Sequence, residues 1–212
     1  MFKKPILYVA LGDSLTVGIG SFFSSGFVKR YAKMTERFFR RKVLIRKIAK
    51  NGATTGDLLR ALDNRLVQRA IRRADIITIT IGGNDLIDAD KIYSKLGEMR
   101  IFTDSLLIAK QNVASIIEKI AYIKSDNFNN SIIRIANLYN PKLENPMANY
   151  WIDNYNMFLY QLQNSNVLVA NLYSVFFDRD EELLIFDDKH PNGKGYQVMA
   201  EAFYHLGYYP LY

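Results

Sequence analysis

Ile6-Leu7-Tyr8-Val9-Ala10, running on into Leu11-Gly12-Asp13-Ser14-Leu15-Thr16-Val17-Gly18, is the stretch that decides the architecture. Its first five residues form a short apolar run with the length and content of a buried strand. The Gly-Asp-Ser that follows sets a hydroxyl on a tight turn beyond the strand's C-terminal end. In open α/β sheets that is where ligands bind. A serine there becomes a nucleophile only if a base, an orienting acid and oxyanion donors arrive from elsewhere in the chain.

Outward from this stretch, strand-like and helix-like segments alternate. Phe27, Val28, Tyr31, Met34, Thr35, Phe38 and Phe39 recur at helical spacing up to Arg41 and read as mostly core. Residues 43–49 read as a second strand, with basic residues at alternate positions that suit a sheet edge. Thr55-Gly56-Asp57 opens a helix carrying Leu58, Leu59 and Leu62, and residues 66–73 form a second amphipathic stretch. Ile76-Ile77-Thr78-Ile79-Thr80-Ile81 is rich in β-branched residues and reads as a central parallel strand. The longest helix is predicted over residues 103–124, with one stripe of Leu106, Ala109, Val113, Ile116, Ile117, Ile120 and Ile123. A fourth strand over 132–138, a helix over 149–163, a fifth strand over 167–170, a loop over 173–186 and a last helix over 193–206 complete the chain. This alternation predicts an α/β fold with a parallel sheet.

The chain has only two histidines, and one lies in Asp187-Asp188-Lys189-His190-Pro191-Asn192 near the far end. The central strand runs into Gly82-Gly83-Asn84-Asp85, and a second glycine turn reads Asn51-Gly52-Ala53-Thr54-Thr55-Gly56. With these four motifs in order, the chain resembles the GDSL-type (SGNH) serine hydrolases. The hallmark residues of that family fall on Ser14, Gly52, Asn84 and His190, with Asp187 three residues before the histidine. The match runs from the first strand to the last helix. Within the family the resemblance is to bacterial GDSL lipases and lysophospholipase-like esterases, spore-associated lipases among them.

The resemblance implies a flavodoxin-like, three-layer αβα sandwich whose five strands lie in the order 2-1-3-4-5. Strands 1 and 3 are then neighbours at a switch point, which suits a ligand site. It also implies roles. Ser14 is the nucleophile; His190 takes its proton and returns it to the leaving group; Asp187 holds the imidazole in the right tautomer. The backbone N–H groups of Ser14 and Gly52 and the side-chain amide of Asn84 are the implied oxyanion donors. A glycine lets backbone approach substrate closely, and a neutral amide adds no charge beside the histidine. Asp188 reads as loop polarity, His205 as a partly buried structural histidine, and Asp13 and Asp85 as orienting the turns through local side-chain to backbone bonds. Phe22 and Phe23, near the nucleophile, border an acyl pocket or pack in the core.

The implied activity is hydrolysis of carboxylic esters, of lipid or phospholipid in preference, through an acyl-enzyme. The same residues serve an acyltransferase or a carbohydrate O-acetyl esterase. No cofactor is called for. Gly18-Ile19-Gly20 lacks the third glycine of a dinucleotide fingerprint, Gly193-Lys194 lacks the spacing of a P-loop, and no ligand cluster suggests a metal.

At 212 residues, without repeats or linkers, the chain reads as one domain over residues 1–212. The absence of cysteine excludes disulfides and thiol nucleophiles. No apolar run approaches the length of a membrane span. Met1-Phe2-Lys3-Lys4 before Pro5 imitates a signal peptide, but its apolar part runs directly into the motif serine and is read as the first strand. A cytoplasmic or spore-associated location is expected, or an extracytoplasmic one if a leader has been removed. Of the 28 Lys and Arg, 17 fall in residues 1–73 against 4 Asp and Glu, while residues 74–212 carry 11 against 17. This basic third is either a solvated helix face or a surface for anionic lipid or cell-wall polymer. Nucleic acid is disfavoured, because no recognised binding module accompanies the charge.

Overall fold

The computed structural model describes residues 4–22, 24–141 and 145–211. Five strands, β1 (Ile6–Gly12), β2 (Val43–Ala49), β3 (Ile76–Thr80), β4 (Ile132–Ala136) and β5 (Val167–Ala170), form one sheet. Its order is β2-β1-β3-β4-β5 and every neighbouring pair is parallel. All five residues of β3 and of β4 are buried, as the unbroken β-branched runs require of strands covered on both faces. β2 lies at the edge, where four successive residues, Leu44 to Lys47, are exposed.

Alternation along the strands builds two cores. Val9, Leu11, Ile77, Ile79, Ile133 and Ile135 face one way, toward α3 (Thr55–Ala61), α4 (Arg65–Arg73), α5 (Gly83–Leu96), α6 (Arg100–Lys124) and α7 (Pro146–Gln161). Ile6, Tyr8, Ala10, Ile76 and Ile132 face the other way, toward α2 (Phe27–Phe39), α8 (Leu172–Phe176), α9 (Asp180–Leu183) and α10 (Gly193–His205). Each buried Ile or Leu adds about 1.5–3 kcal/mol to this sandwich. The predicted stripe of α6, from Leu106 to Ile123, is buried throughout. Three buried polar residues, Thr78, Thr80 and Arg134, interrupt the apolar runs of β3 and β4. Thr78 meets the Tyr8 hydroxyl at 2.8 Å. The fully buried Arg134 donates to the carbonyl oxygens of Ile133, Asn166, Gly207 and Tyr209, which fastens the C-terminal segment to the sheet.

The structure differs from the sequence reading at several element ends. α7 starts at Pro146, because Asn145 caps it by accepting from the Met147 and Ala148 N–H groups and proline suits the first helical position. α6 starts at Arg100 rather than residue 103. The stretch read as a loop over 173–186 contains most of α8 and all of α9, whose acidic residues lie in its first turn, where the helix dipole favours them. His205 is exposed rather than partly buried. Phe38 is 47% exposed, although its ring touches Phe39 and Tyr208.

What positions a site is the reversal of direction at β1. The chain leaves β1 for β2 on one side, while β3 lies on the other, so the C-terminal ends of β1 and β3 are adjacent, with Gly12 opposite Thr80. Asp13 N–H donates to the Thr80 carbonyl oxygen at 3.1 Å, holding the two exits together.

Candidate active site

The turn after β1 is held by a buried hydroxyl chain. Asp13 caps the short helix α1 (Ser14–Val17) by accepting from Leu15 N–H at 3.0 Å, and accepts from the Thr80 hydroxyl at 2.8 Å. The Thr16 hydroxyl, 2.8 Å from Thr80 Oγ1 and 3.1 Å from the Leu11 carbonyl oxygen, supports Thr80 from behind. Burial pushes the Asp13 carboxyl up to about 6 against the lowering effect of these bonds. Ser14 is the first residue of α1, so its backbone N–H is one of those that helical pairing leaves without an intrahelical partner.

His190 reaches Ser14 from the other end of the chain. Its Nε2 lies 2.9 Å from Ser14 Oγ, and its Nδ1 lies 2.5 Å from Asp187 Oδ2. The loop that carries both is a tight hairpin. Leu184 and Pro191 form an antiparallel bridge, Ile185 N–H donates to the His190 carbonyl oxygen at 2.9 Å, and Asp188 N–H donates to the Ile185 carbonyl oxygen at 3.0 Å. The other carboxylate oxygen of Asp187 accepts from the N–H groups of Lys189 and His190 at 3.0 and 2.9 Å. Burial works to raise the Asp187 carboxyl, but the His190 ring, these two N–H donors and the histidine's charge outweigh it and hold it below the usual carboxylate range. Asp188 is exposed, with left-handed backbone at φ 53°, and its carboxylate makes no bond to His190.

The glycine turn is tied to the end of β1. Lys50 N–H donates to the Gly12 carbonyl oxygen, and Ala53 N–H closes the turn onto the Lys50 carbonyl oxygen, both at 3.1 Å. Gly52 sits at φ +75°, and a Cβ there would meet no heavy atom within 4 Å, so the glycine answers a backbone requirement in open space. Asn84, in the first turn of α5, donates its Nδ2 to the Ala53 carbonyl oxygen at 2.8 Å. That bond uses one of the two amide hydrogens and leaves the other for a ligand.

Asp85 differs from the sequence reading. Rather than a local bond, it reaches 30 residues back to accept from the Thr55 N–H at 2.9 Å and the Thr55 hydroxyl at 2.6 Å. Asn112 of α6 donates to the same hydroxyl oxygen at 3.0 Å. Asn84 and Asp85 thus clamp the glycine turn on either side of Thr54. Burial raises the Asp85 carboxyl above its ordinary range, against the lowering effect of the Thr55 bonds.

The structure therefore brings Ser14, His190, Asp187, the Gly52 turn and Asn84 to one end of the sheet. It brings Phe22 to the surface, 76% exposed and at φ 36°, on the segment that leaves α1; Phe23 lies outside the described residues. Sequence reasoning missed Thr80, Thr16, Thr55, Asn112 and Gly20. Gly20, at φ +88°, is where the segment after α1 crosses the histidine hairpin, and a Cβ there would lie 2.6 Å from the Pro191 carbonyl oxygen and 3.4 Å from His190 Cβ. The available signal was a glycine and two threonines in otherwise apolar surroundings. Among the described residues, no group of three or more His, Asp or Glu side chains is gathered as metal ligands would be.

This arrangement has counterparts. The sequence profile of the GDSL-like lipase/acylhydrolase family matches residues 10–198. A spore germination lipase, LipC, of Bacillus licheniformis is 36% identical over 203 residues, which is 95% of this chain and 96% of that protein. The crystal structure of a lipase from a goat rumen metagenome, Lip_vut3, superposes with a TM-score of 0.94 at 36% identity, over 98% of this chain and 100% of the other. The crystal structure of TesA shares the fold, with a TM-score of 0.72 at 16% identity over 97% and 99% of the two chains.

Proposed function

The chain belongs to the GDSL-like lipase/acylhydrolase family and is a carboxylic ester hydrolase, and on that premise we propose that it works through an acyl-enzyme on Ser14. The observation that carries this reading is the 2.9 Å approach of His190 Nε2 to Ser14 Oγ, with Asp187 on the opposite ring nitrogen. Nδ1–H donates to Asp187, which leaves Nε2 unprotonated and free to accept the serine proton. As Ser14 Oγ attacks the ester carbonyl, Nε2 takes that proton and Asp187 stabilises the imidazolium. His190 then protonates the departing alkoxide, and an acyl group remains on Ser14. A water enters, His190 removes its proton, and its attack on the acyl carbonyl releases the acid and restores the serine.

Negative charge on the carbonyl oxygen develops in both steps. The donors for it are the N–H groups of Ser14 and Gly52 and the free amide hydrogen of Asn84, whose aim is fixed by its bond to Ala53. Fixed donors need no reorganisation when the charge appears. Asn84→Ala is expected to lower kcat by about 10²–10³-fold while moving KM little, the size found for removing one such donor. Steady-state kinetics on a p-nitrophenyl ester reads the two apart. A rise mainly in KM, with kcat little changed, would assign Asn84 to ground-state binding instead.

Lipid or phospholipid acyl esters are the preferred substrate. The two relatives at 36% identity, both lipases by description, support this preference. So does the exposed Phe22 beside the nucleophile helix. The basic N-terminal third supports contact with an anionic surface, and likeness to a spore germination lipase is compatible with action at the spore. The test is a chain-length series of p-nitrophenyl esters beside a lysophospholipid, with Ser14→Ala as control. Turnover should rise toward long chains and the lysophospholipid. Activity confined to acetate would replace this reading with a small-acyl esterase, and an alcohol acceptor that outcompetes water would replace it with an acyltransferase.

A further inference from the structure

Part of the positive charge of residues 1–73 touches the nucleophile's own helix. Lys47, on the edge strand β2, donates its Nζ to the carbonyl oxygen of Val17 at 2.8 Å, and Val17 ends the helix that Ser14 begins. Lys29 of α2 lies close by; partial burial and then the Lys29 charge push the Lys47 ammonium below the usual lysine range. Lys50 ends the same edge, its N–H bonded to the carbonyl oxygen of Gly12. Among the described residues none of these three lysines has a carboxylate within ion-pair distance, whereas Lys91 and Lys119 find Asp88 and Asp63.

The four carboxylates of this third are all committed elsewhere. Asp13 is buried, Glu36 accepts from Val43 N–H, Asp57 pairs with Arg60, and Asp63 pairs with Lys119. The lysine cluster is therefore uncompensated, and exposed apolar side chains accompany it. Ile45 stands 41% exposed on the same strand face as Lys47, and Phe22 is exposed on the segment leaving α1.

We propose that this corner, Lys29, Lys47 and Lys50 with Ile45 and Phe22, is a docking surface for an anionic lipid bilayer that brings the Ser14 turn down to its ester substrate. The inference rests on the reading of Ser14 as the nucleophile of a lipid ester hydrolase. Charge complementarity selects an anionic occupant. The exposed apolar side chains select a lipid surface over a soluble polyanion, because only a bilayer offers hydrocarbon in which to bury them. Ammonium groups meet the headgroup phosphates while the apolar side chains enter the headgroup boundary.

The test is co-sedimentation of the full chain carrying Ser14→Ala, so that vesicles are not consumed, with phosphatidylglycerol or phosphatidylcholine vesicles. Partition onto phosphatidylglycerol should exceed that onto phosphatidylcholine at least tenfold at low salt. It should fall steeply at high salt, where screening shortens the reach of each charge to about 3–4 Å. Lys29→Gln with Lys50→Gln, both exposed and remote from the core, should weaken partition about 25-fold, at about fivefold per basic residue. Ile45→Ser with Phe22→Ser should weaken it as well. Equal partition onto the two vesicles, or partition unchanged by the lysine pair, overturns the proposal. Binding to polyphosphate without binding to vesicles assigns the corner to a polyanion and also overturns it. Failure of the hydrolase reading has a different signature: wild-type chain that turns over no ester, whatever its vesicle partition.

Discussion

Ser14→Ala is expected to lower ester turnover by about 10⁴–10⁶-fold, with the folded protein and its melting temperature essentially retained. Ser14 is buried to 7% exposure, and its side chain makes one bond, to His190. Removing Oγ leaves the turn intact, because the turn is held by Asp13, Thr80 and Thr16 rather than by the serine hydroxyl. What remains is catalysis from the oxyanion donors and binding alone. His190→Ala should fall to the same floor, because without a base the serine hydroxyl is a weak nucleophile. The double variant should be no slower than either single one, since the pair acts as a unit. Turnover within tenfold of wild type in either folded single variant would remove Ser14 and His190 from the mechanism.

The second large effect is Asp187→Asn, with an expected fall in kcat of about 10³–10⁴-fold near neutral pH. The substitution keeps an oxygen able to accept from the Lys189 and His190 N–H groups, so the hairpin holds its shape. It replaces the acceptor on His190 Nδ1 with an amide donor. The imidazole then carries its proton on Nε2, the nitrogen that faces Ser14, and can no longer accept the serine proton. Asp188 cannot take over, because its left-handed backbone turns it into solvent. Asp187→Ala should be less damaging per lost contact, since it leaves Nδ1 free to bind water in either tautomer. Measuring both variants separates control of the tautomer from electrostatic stabilisation. Near-wild-type turnover in Asp187→Asn would mean that the tautomer is set by something other than Asp187.

The strands were legible because their physics is local. Ile76 to Ile81 and Ile132 to Ile135 are β-branched runs too short for helices and too apolar for an exposed face. Their order was legible only through the family resemblance, because register and neighbours depend on contacts between distant segments. The three-residue spacing of Asp187 and His190 likewise put the histidine's acceptor in plain view, since one loop delivers both. The supports of the site were not visible. Asp85 looks like a local turn former, yet its partner Thr55 lies 30 residues away, and Thr80 serves Asp13 across 67. Such bonds form only after β1, β3 and the glycine turn have been brought together, and no window of sequence contains both ends. The need for glycine at position 20 is hidden for the same reason: what it avoids is the Pro191 carbonyl oxygen, 171 positions along the chain. His205 and Phe38 are more exposed than expected, and for Phe38 the reason is that helical periodicity marks a face without saying how far its rim is covered. The start of α7 is a different case, since Asn145-Pro146 is a capping signal that the residues themselves carry.

The most direct test of Ser14 as the nucleophile is to trap it. The purified chain is treated with a p-nitrophenyl phosphonate, whose phosphorus resembles the tetrahedral acyl intermediate, and the peptides are mapped by mass spectrometry while nitrophenolate release is counted. One phosphonyl group per chain is predicted, on Ser14 alone, with ester turnover lost in proportion and labelling slowed severely in His190→Ala. A label on any other residue that tracks the loss of turnover, or full turnover in a chain labelled at Ser14, would contradict the account.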